Sequence, residues 1–180
     1  MRDDAGNEVL LGLGANEGEP VAQLAAAVQA LSAVVRIGGV SSVWRSEPVG
    51  FAEQADFYNV VVRGWTGLEP PALLAAAQGV EAALGRRRSF ANAPRTMDVD
   101  LLAYGERVMR TAELTLPHPR LHLRGFVLYP LVEVAPEWTH PVLLRTAREL
   151  LSSADALERV ERVGALPGSG APLAPARPPG

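Results

Sequence analysis

Residues 94–102, Pro-Arg-Thr-Met-Asp-Val-Asp-Leu-Leu, leave this chain few choices. From Thr96 onward the residues alternate, and alternation places successive side chains on opposite faces of a strand. Asp98 and Asp100 then share one face, with Met97, Val99 and Leu101 on the other. Two carboxylates so spaced stand roughly 6–7 Å apart at the backbone. Their charges repel unless a cation or arginines offset them, and their oxygens suit one or two hard cations such as Mg²⁺. Arginines are close: Arg86, Arg87 and Arg88 lie upstream and Arg95 opens the segment. The combination predicts a metal-assisted site for a polyanion, with phosphate the first candidate. Taken alone, Asp-x-Asp is more often an exposed acidic strand face beside a solvated basic loop.

Composition limits the chemistry. All 17 basic residues are arginine and there is no cysteine. A lysine-dependent phosphate loop, a Schiff base, thiolate catalysis and Cys-ligated zinc are therefore excluded. Any phosphate must be held by arginine, histidine, backbone amides or metal. A length of 180 residues with 48% hydrophobic content fits one domain with a proper core. No apolar run approaches a membrane span, and the polar, acidic first residues do not resemble a signal peptide. A cytoplasmic protein without membrane contact is the expectation, and a monomer the default. The net charge of −3 argues against a general nucleic-acid binder.

Taken in order, residues 8–14 (EVLLGLG) read as a buried strand. Gly12 and Gly14 make a weak dinucleotide signal, since the third glycine is misplaced. Gly14 more simply admits a neighbouring chain or ligand to the strand end, with Asn16 shaping the turn. Pro20 opens a helix whose core stripe is Val21, Leu24, Val28, Leu31 and Val35. Gly38-Gly39 break the pattern, and residues 40–44 read as a strand. Residues 45–56 form a long polar loop, of the kind that serves as a lid or is a tolerated insertion. Residues 57–66 follow as a strand in which Asn59 faces either solvent or a pocket.

A second helix is predicted over 68–84, with Leu73, Ala77, Val80 and Leu84 as core and Gly85 as C-cap. Gln78 and Glu81 fall on an adjoining face, either solvated or edging a site. After the aspartate strand, residues 107–109 make a short returning strand. Residues 114–120 (LTLPHPR) are extended, two prolines holding His118 out of a helix. Residues 126–134 pack as a helix around Pro130, and a last helix spans about 141–163 with breaks near Ser152-Ser153. Residues 164–180, rich in Pro, Gly and Ala, read as a disordered tail. The order strand, helix, strand, strand, helix, strand matches an α+β, ferredoxin-like split βαβ arrangement. That means a mainly antiparallel sheet with helices packed on one face.

Several separated motifs carry a resemblance. Residues 94–102, Gly12-Leu13-Gly14-Ala15-Asn16, Glu47-Pro48-Val49-Gly50, Phe57-Tyr58-Asn59, Leu116-Pro117-His118-Pro119-Arg120 and Arg124-Gly125-Phe126 occur in one order. Together the chain resembles the 6-hydroxymethyl-7,8-dihydropterin pyrophosphokinases of folate synthesis, over about residues 9–152. The resemblance implies transfer of pyrophosphate from ATP to a pterin alcohol, within a single pyrophosphokinase domain over residues 1–163. It implies that Asp98 and Asp100 hold two Mg²⁺ ions. Arg86, Arg95 and Arg124 would neutralise phosphate charge, and His118 would hydrogen-bond to phosphate. Arg88 would lie on the nucleotide, with Leu74, Gln78, Glu81, Leu101 and Thr115 around base and ribose. The pterin would stack between Phe57 and Phe126, read by Asn59, with Ser46, Glu47 and Val49 as further contacts. Loops 45–56 and 86–93 would be lids. Where the family often has Trp-Gly before Pro-Arg, this chain has Asn92-Ala93, and Ala15 replaces a frequent serine. Two other readings are another two-metal phosphoryl or nucleotidyl transferase on the same fold, and a non-catalytic ferredoxin-like binding module.

Overall fold

The computed structural model describes residues 6–48, 53–84, 97–154 and 157–169. The expected cap at Gly85, the whole of loop 86–93 with Arg86, Arg87 and Arg88, Arg95, Val49 and residues 170–180 lie outside them.

The centre of the sheet is β1 (Asn7–Ala15), an apolar strand paired on both edges. On one side it runs antiparallel to β4 (Phe57–Thr66) along its whole length, from Asn7↔Thr66 to Ala15↔Tyr58. On the other it pairs with β5 (Asp98–Tyr104), which places Gly14 opposite Asp98 and Gly12 opposite Asp100. The far edge of β4 is shared. β2 (Arg36–Val40) takes its C-terminal half, and β3 (Val43–Ser46) its N-terminal half. A late strand, β8 (Val160–Gly164), then pairs with β3. Every pairing is antiparallel. A separate ribbon joins β6 (Met109–Arg110) to β7 (Thr115–Leu116).

The alternation of β1 explains how helices come to cover both faces, where one covered face was expected. Val9, Leu11, Leu13 and Ala15 point into one core, packed by α1 (Pro20–Leu31) and α2 (Pro70–Ala83). Leu10, with Val61, Leu102 and Ala103, makes the opposite face apolar as well, so it too must be covered. The cover is α3 (Gly125–Val134) and α4 (Ala147–Ser153). Each fully buried Leu or Val contributes about 1.5–3 kcal/mol relative to exposure. Toward the end of β1 this second face carries only Gly12 and Gly14, and there the cover stops.

Five other expectations need correction. The strand expected at 40–44 is two strands broken at Ser41-Ser42, both buried. Ser41 Oγ accepts from the Val61 N–H at 2.9 Å, and Ser42 Oγ donates to Glu133 Oε2 of α3 at 2.8 Å. Gly38 and Gly39 lie inside β2, where a Cβ at position 38 would meet the Trp65 ring at 2.2 Å. The returning strand forms at 109–110, not 107–109, because Arg107 completes the turn through its N–H to Tyr104 O.

The long last helix is replaced by a short one and a strand. A capping box of Thr146 and Glu149 starts α4 only at Ala147, and β8 satisfies the open edge of β3. The expected tail boundary also shifts, since Gly164 belongs to β8 and Leu166 is 3% exposed in the first core. Among the described residues no helix is long and apolar enough to cross a membrane.

Candidate active site

The site is built where β1 has no side chains. Directly opposed residues of antiparallel strands share a face, so Asp98 and Asp100 stand beside the bare backbone of Gly14 and Gly12. The same row continues into β4 as Asn59 and Val61. The result is an open cleft floored by these glycines and the aspartates. Both aspartates are only partly exposed.

Edge strand β5 is held from behind. The Val99 N–H, between the two aspartates, donates to Glu81 Oε1 at 2.8 Å, and Glu81 is 4% exposed. Glu81 thus fixes the backbone that carries the carboxylates.

Two aromatic side chains wall the cleft, Phe57 at the start of β4 and Phe126 in the first turn of α3. Between them Asn59, 6% exposed, donates from Nδ2 to Ser46 Oγ at 3.1 Å and to Trp44 O at 3.4 Å. Its Oδ1 lies over Gly14, where a Cβ would come within 2.9 Å of it. The glycine is therefore required by the close approach of Asn59. Asn16 does more than shape a turn, since its Nδ2 donates to Gln54 Oε1 at 2.8 Å and to Ala55 O at 3.1 Å. Gln54 lines the cleft and was missed by sequence reasoning. Its only signal was its place in a long polar loop.

The cationic wall comes from the segment before α3. Its chain is tied to β5 by the His118 N–H donating to Leu102 O at 2.8 Å. His118 Nδ1 accepts the Arg120 N–H at 3.1 Å, which leaves Nε2 to carry the proton of the neutral ring. Burial, then the charges of Arg124 and Arg120, push the His118 pKa down to about 4, against the opposing pull of Asp98. Arg124 is the N-cap residue of α3 and reaches back over the Phe126 ring, 5.4 Å from its centroid. Burial lowers its pKa most, while Asp100, Asp98 and Glu158 favour its charged form. A half-buried guanidinium thus faces two carboxylates across an open cleft.

Of the site residues named from sequence, Ser46, Glu47, Phe57, Asn59, Asp98, Asp100, Arg124 and Phe126 line this cleft. Leu74, Gln78, Glu81, Leu101, Thr115 and His118 do not, although His118 lies close enough to Arg124 and Asp98 to feel their charges. Leu101 is 3% exposed and points into the first core, and Leu74 packs on that core. Gln78 is exposed on α2, and Thr115 sits in β7. Val49, Arg86, Arg88 and Arg95 lie outside the described residues.

Among the described residues no group of three or more acidic or histidine side chains is placed to hold a metal. Two carboxylates on an open floor nevertheless fit Mg²⁺. That ion takes one or two protein carboxylates and completes its shell with water and phosphate oxygens.

The family model described as 7,8-dihydro-6-hydroxymethylpterin-pyrophosphokinase (HPPK) matches residues 10–136, a span holding every wall of the cleft. The chain belongs to this family. Relatives in the HPPK family include the 2-amino-4-hydroxy-6-hydroxymethyldihydropteridine pyrophosphokinase of Aquifex aeolicus. It is 38% identical over 141 residues, covering 78% of this chain and 88% of the relative. The enzyme of the same name from Methylorubrum extorquens is 41% identical over 155 residues, covering 84% and 97%. Among solved structures, Plasmodium falciparum HPPK-DHPS with pterin and p-hydroxybenzoate superposes with a TM-score of 0.67 at 16% identity. That likeness speaks for the fold, and it covers 84% of this chain but only 44% of the Plasmodium chain.

Proposed function

We propose that this HPPK-family chain transfers the pyrophosphoryl group of ATP to the hydroxyl of 6-hydroxymethyl-7,8-dihydropterin, yielding AMP and the pterin diphosphate in folate biosynthesis. The observation that carries the reading is the row of paired aspartates beside paired glycines, in a cleft walled by two phenylalanines and an amide. A flat heterocycle with a polar edge suits that cleft. Phe57 and Phe126 offer faces for stacking, and Asn59, held by Ser46, offers its amide for hydrogen bonding. Glu47 lines the same cleft, and Val49 is assigned to the pterin on the family resemblance.

In the reaction the pterin hydroxyl oxygen attacks the β-phosphorus. The bond from that phosphorus to the oxygen bridging the α-phosphate breaks, AMP leaves with the electron pair, and the hydroxyl proton is lost to solvent. Such a transfer needs alignment and charge neutralisation more than covalent catalysis. Mg²⁺, held by Asp98 and Asp100, would supply positive charge and fixed positions for phosphate oxygens. Arg124 faces the same space and would neutralise phosphate from the opposite wall. Neutral His118 would donate its Nε2 proton to a phosphate oxygen without adding a charge. Arg86, Arg88 and Arg95 are assigned to the phosphates, and Leu74, Gln78, Glu81, Leu101 and Thr115 to the nucleoside side, on the family resemblance. With its side chain in the core, Leu101 has only its main chain to offer. Glu81 acts through the Val99 N–H it accepts.

Product analysis with ATP, Mg²⁺ and 6-hydroxymethyl-7,8-dihydropterin tests this directly. Pterin-dependent AMP, with a diphosphate on the pterin, is the expected result. ADP or free pyrophosphate would replace the reading with a different two-metal transferase. A folded protein that binds pterin and turns nothing over would be a binding module.

A further inference from the structure

The first turn of α3 carries both Arg124 and Phe126, yet no side chain of its own segment caps it. The cap comes from the far end of the chain. The Phe126 N–H donates to Glu158 Oε1 at 2.9 Å. A carboxylate there satisfies an otherwise orphaned helix donor and lies at the positive end of the helix dipole. The contact is close along its length. A Cβ at Gly125 would lie 3.1 Å from Glu158 O and 3.4 Å from both Glu158 Cδ and Leu157 Cβ. Leu157 packs against the second core and anchors the arm. Two residues beyond Glu158 the arm becomes β8, where Val160 pairs with Ser46, the residue that holds Asn59. One short arm thus braces both walls of the cleft. Glu158 also acts on Arg124, as one of three carboxylates favouring the charged guanidinium. Were Asp98 and Asp100 committed to metal, Glu158 would be the one left for it.

Resting on the pyrophosphokinase reading, we infer that Glu158 is a positioning residue of the pterin subsite. Its carboxylate fixes the Arg124-Gly125-Phe126 turn, and with it the ring on which the pterin stacks. Phe126 is held at the angle the cleft requires only while its N–H is anchored from outside the helix.

The test uses the full chain and four proteins. Wild type must first show pterin-dependent AMP formation, and its failure would count against the functional reading rather than against Glu158. Glu158→Ala is expected to raise the pterin KM about tenfold, the scale of a lost helix cap at a contact wall, with the ATP KM within about twofold. Glu158→Gln keeps an acceptor oxygen for the Phe126 N–H and should stay within about threefold of wild type. Glu161→Ala removes an exposed ion pair with Arg45 on the same arm and should leave the pterin KM unchanged. An unchanged pterin KM in Glu158→Ala overturns the assignment. So does Glu158→Gln as impaired as the alanine variant, or Glu161→Ala with an equal rise, which would give the effect to the arm as a whole. Should Glu158→Ala not fold, Glu158→Asp decides. One methylene shorter, it should raise the pterin KM, and a wild-type value overturns the inference.

Discussion

At the scale of single residues, the two aspartates and two glycines form one unit. On the proposed function, removing either carboxylate takes away a metal ligand and a like-charge neighbour together. Asp98→Ala and Asp100→Ala should each lower transfer at least about a thousandfold. Urea unfolding midpoints should change little, because the repulsion removed is offset by the attraction to Arg124 that is lost with it. Near-normal turnover in either variant would remove the metal assignment. Gly14 makes a different prediction. A methyl there would push on Asn59 Oδ1 from 2.9 Å, and the amide can yield only by leaving Ser46. Gly14→Ala should therefore raise the pterin KM by about tenfold while the ATP KM changes little. Steady-state kinetics with each substrate varied would show it. Asp98 and Asp100 were legible because strand alternation is a property of neighbours in sequence. The use of Glu81 was not. Helical spacing set it beside Gln78, but the N–H it accepts belongs to Val99 on another element. Gln54 was hidden for the same reason, since the partner that holds it is Asn16, at the end of β1.

At the scale of elements, the strands and helices with a strong local period were legible, and the pieces that exist to complete others were not. β4 and α2 needed only their own pattern. β8 has three exposed residues of five and forms because β3 has an open edge. Nothing in residues 160–164 alone distinguishes that strand from a charged helix end. The break between β2 and β3 is similar, because it depends on a carboxylate of α3. Glu133 accepts from the Ser42 N–H at 3.2 Å, from Ser42 Oγ at 2.8 Å and from Trp44 Nε1. Tyr129 of the same helix lies against Trp44, with ring centroids 5.2 Å apart. This junction joins α3 to the strands that position Ser46 and Asn59. Glu133→Ala would strand three donors at a partly buried place, each left-over group costing about 1–3 kcal/mol when water cannot reach it. A loss of about 2 kcal/mol in urea unfolding is expected, as solvent relieves part of that cost. A midpoint equal to wild type would mean that β3 is held without α3.

At the scale of the whole molecule, the fold class was legible from element order, whereas the covering of both faces was not. The second face is apolar through residues as far apart as Leu10, Val61 and Leu102, which only the assembled sheet brings together. Its cover ends at the cleft, and the edge of that cover is where His118 and Arg124 are partly desolvated. Global stability should record this. The His118 pKa is about 4 in the folded chain, against an ordinary value of 6.5. Between those limits the unfolded chain binds more protons than the folded one, so stability rises with pH across the window. The contribution is fully present above about 6.5 and is lost as pH falls through the folded value near 4. Two and a half pH units correspond to at most about 3 kcal/mol, and the partial exposure of the ring reduces that figure. His118→Gln has no such proton to bind. Its unfolding free energy, measured in urea at pH 7 and again at pH 4.5, should fall less than that of wild type between the two conditions. Titrating groups that do not face His118 are common to both proteins and largely cancel in the difference. Equal losses in the two proteins would mean that His118 carries its proton in the folded state as readily as in the unfolded one. The neutral Nε2–H donor assigned to it would then be replaced by an imidazolium beside Arg124.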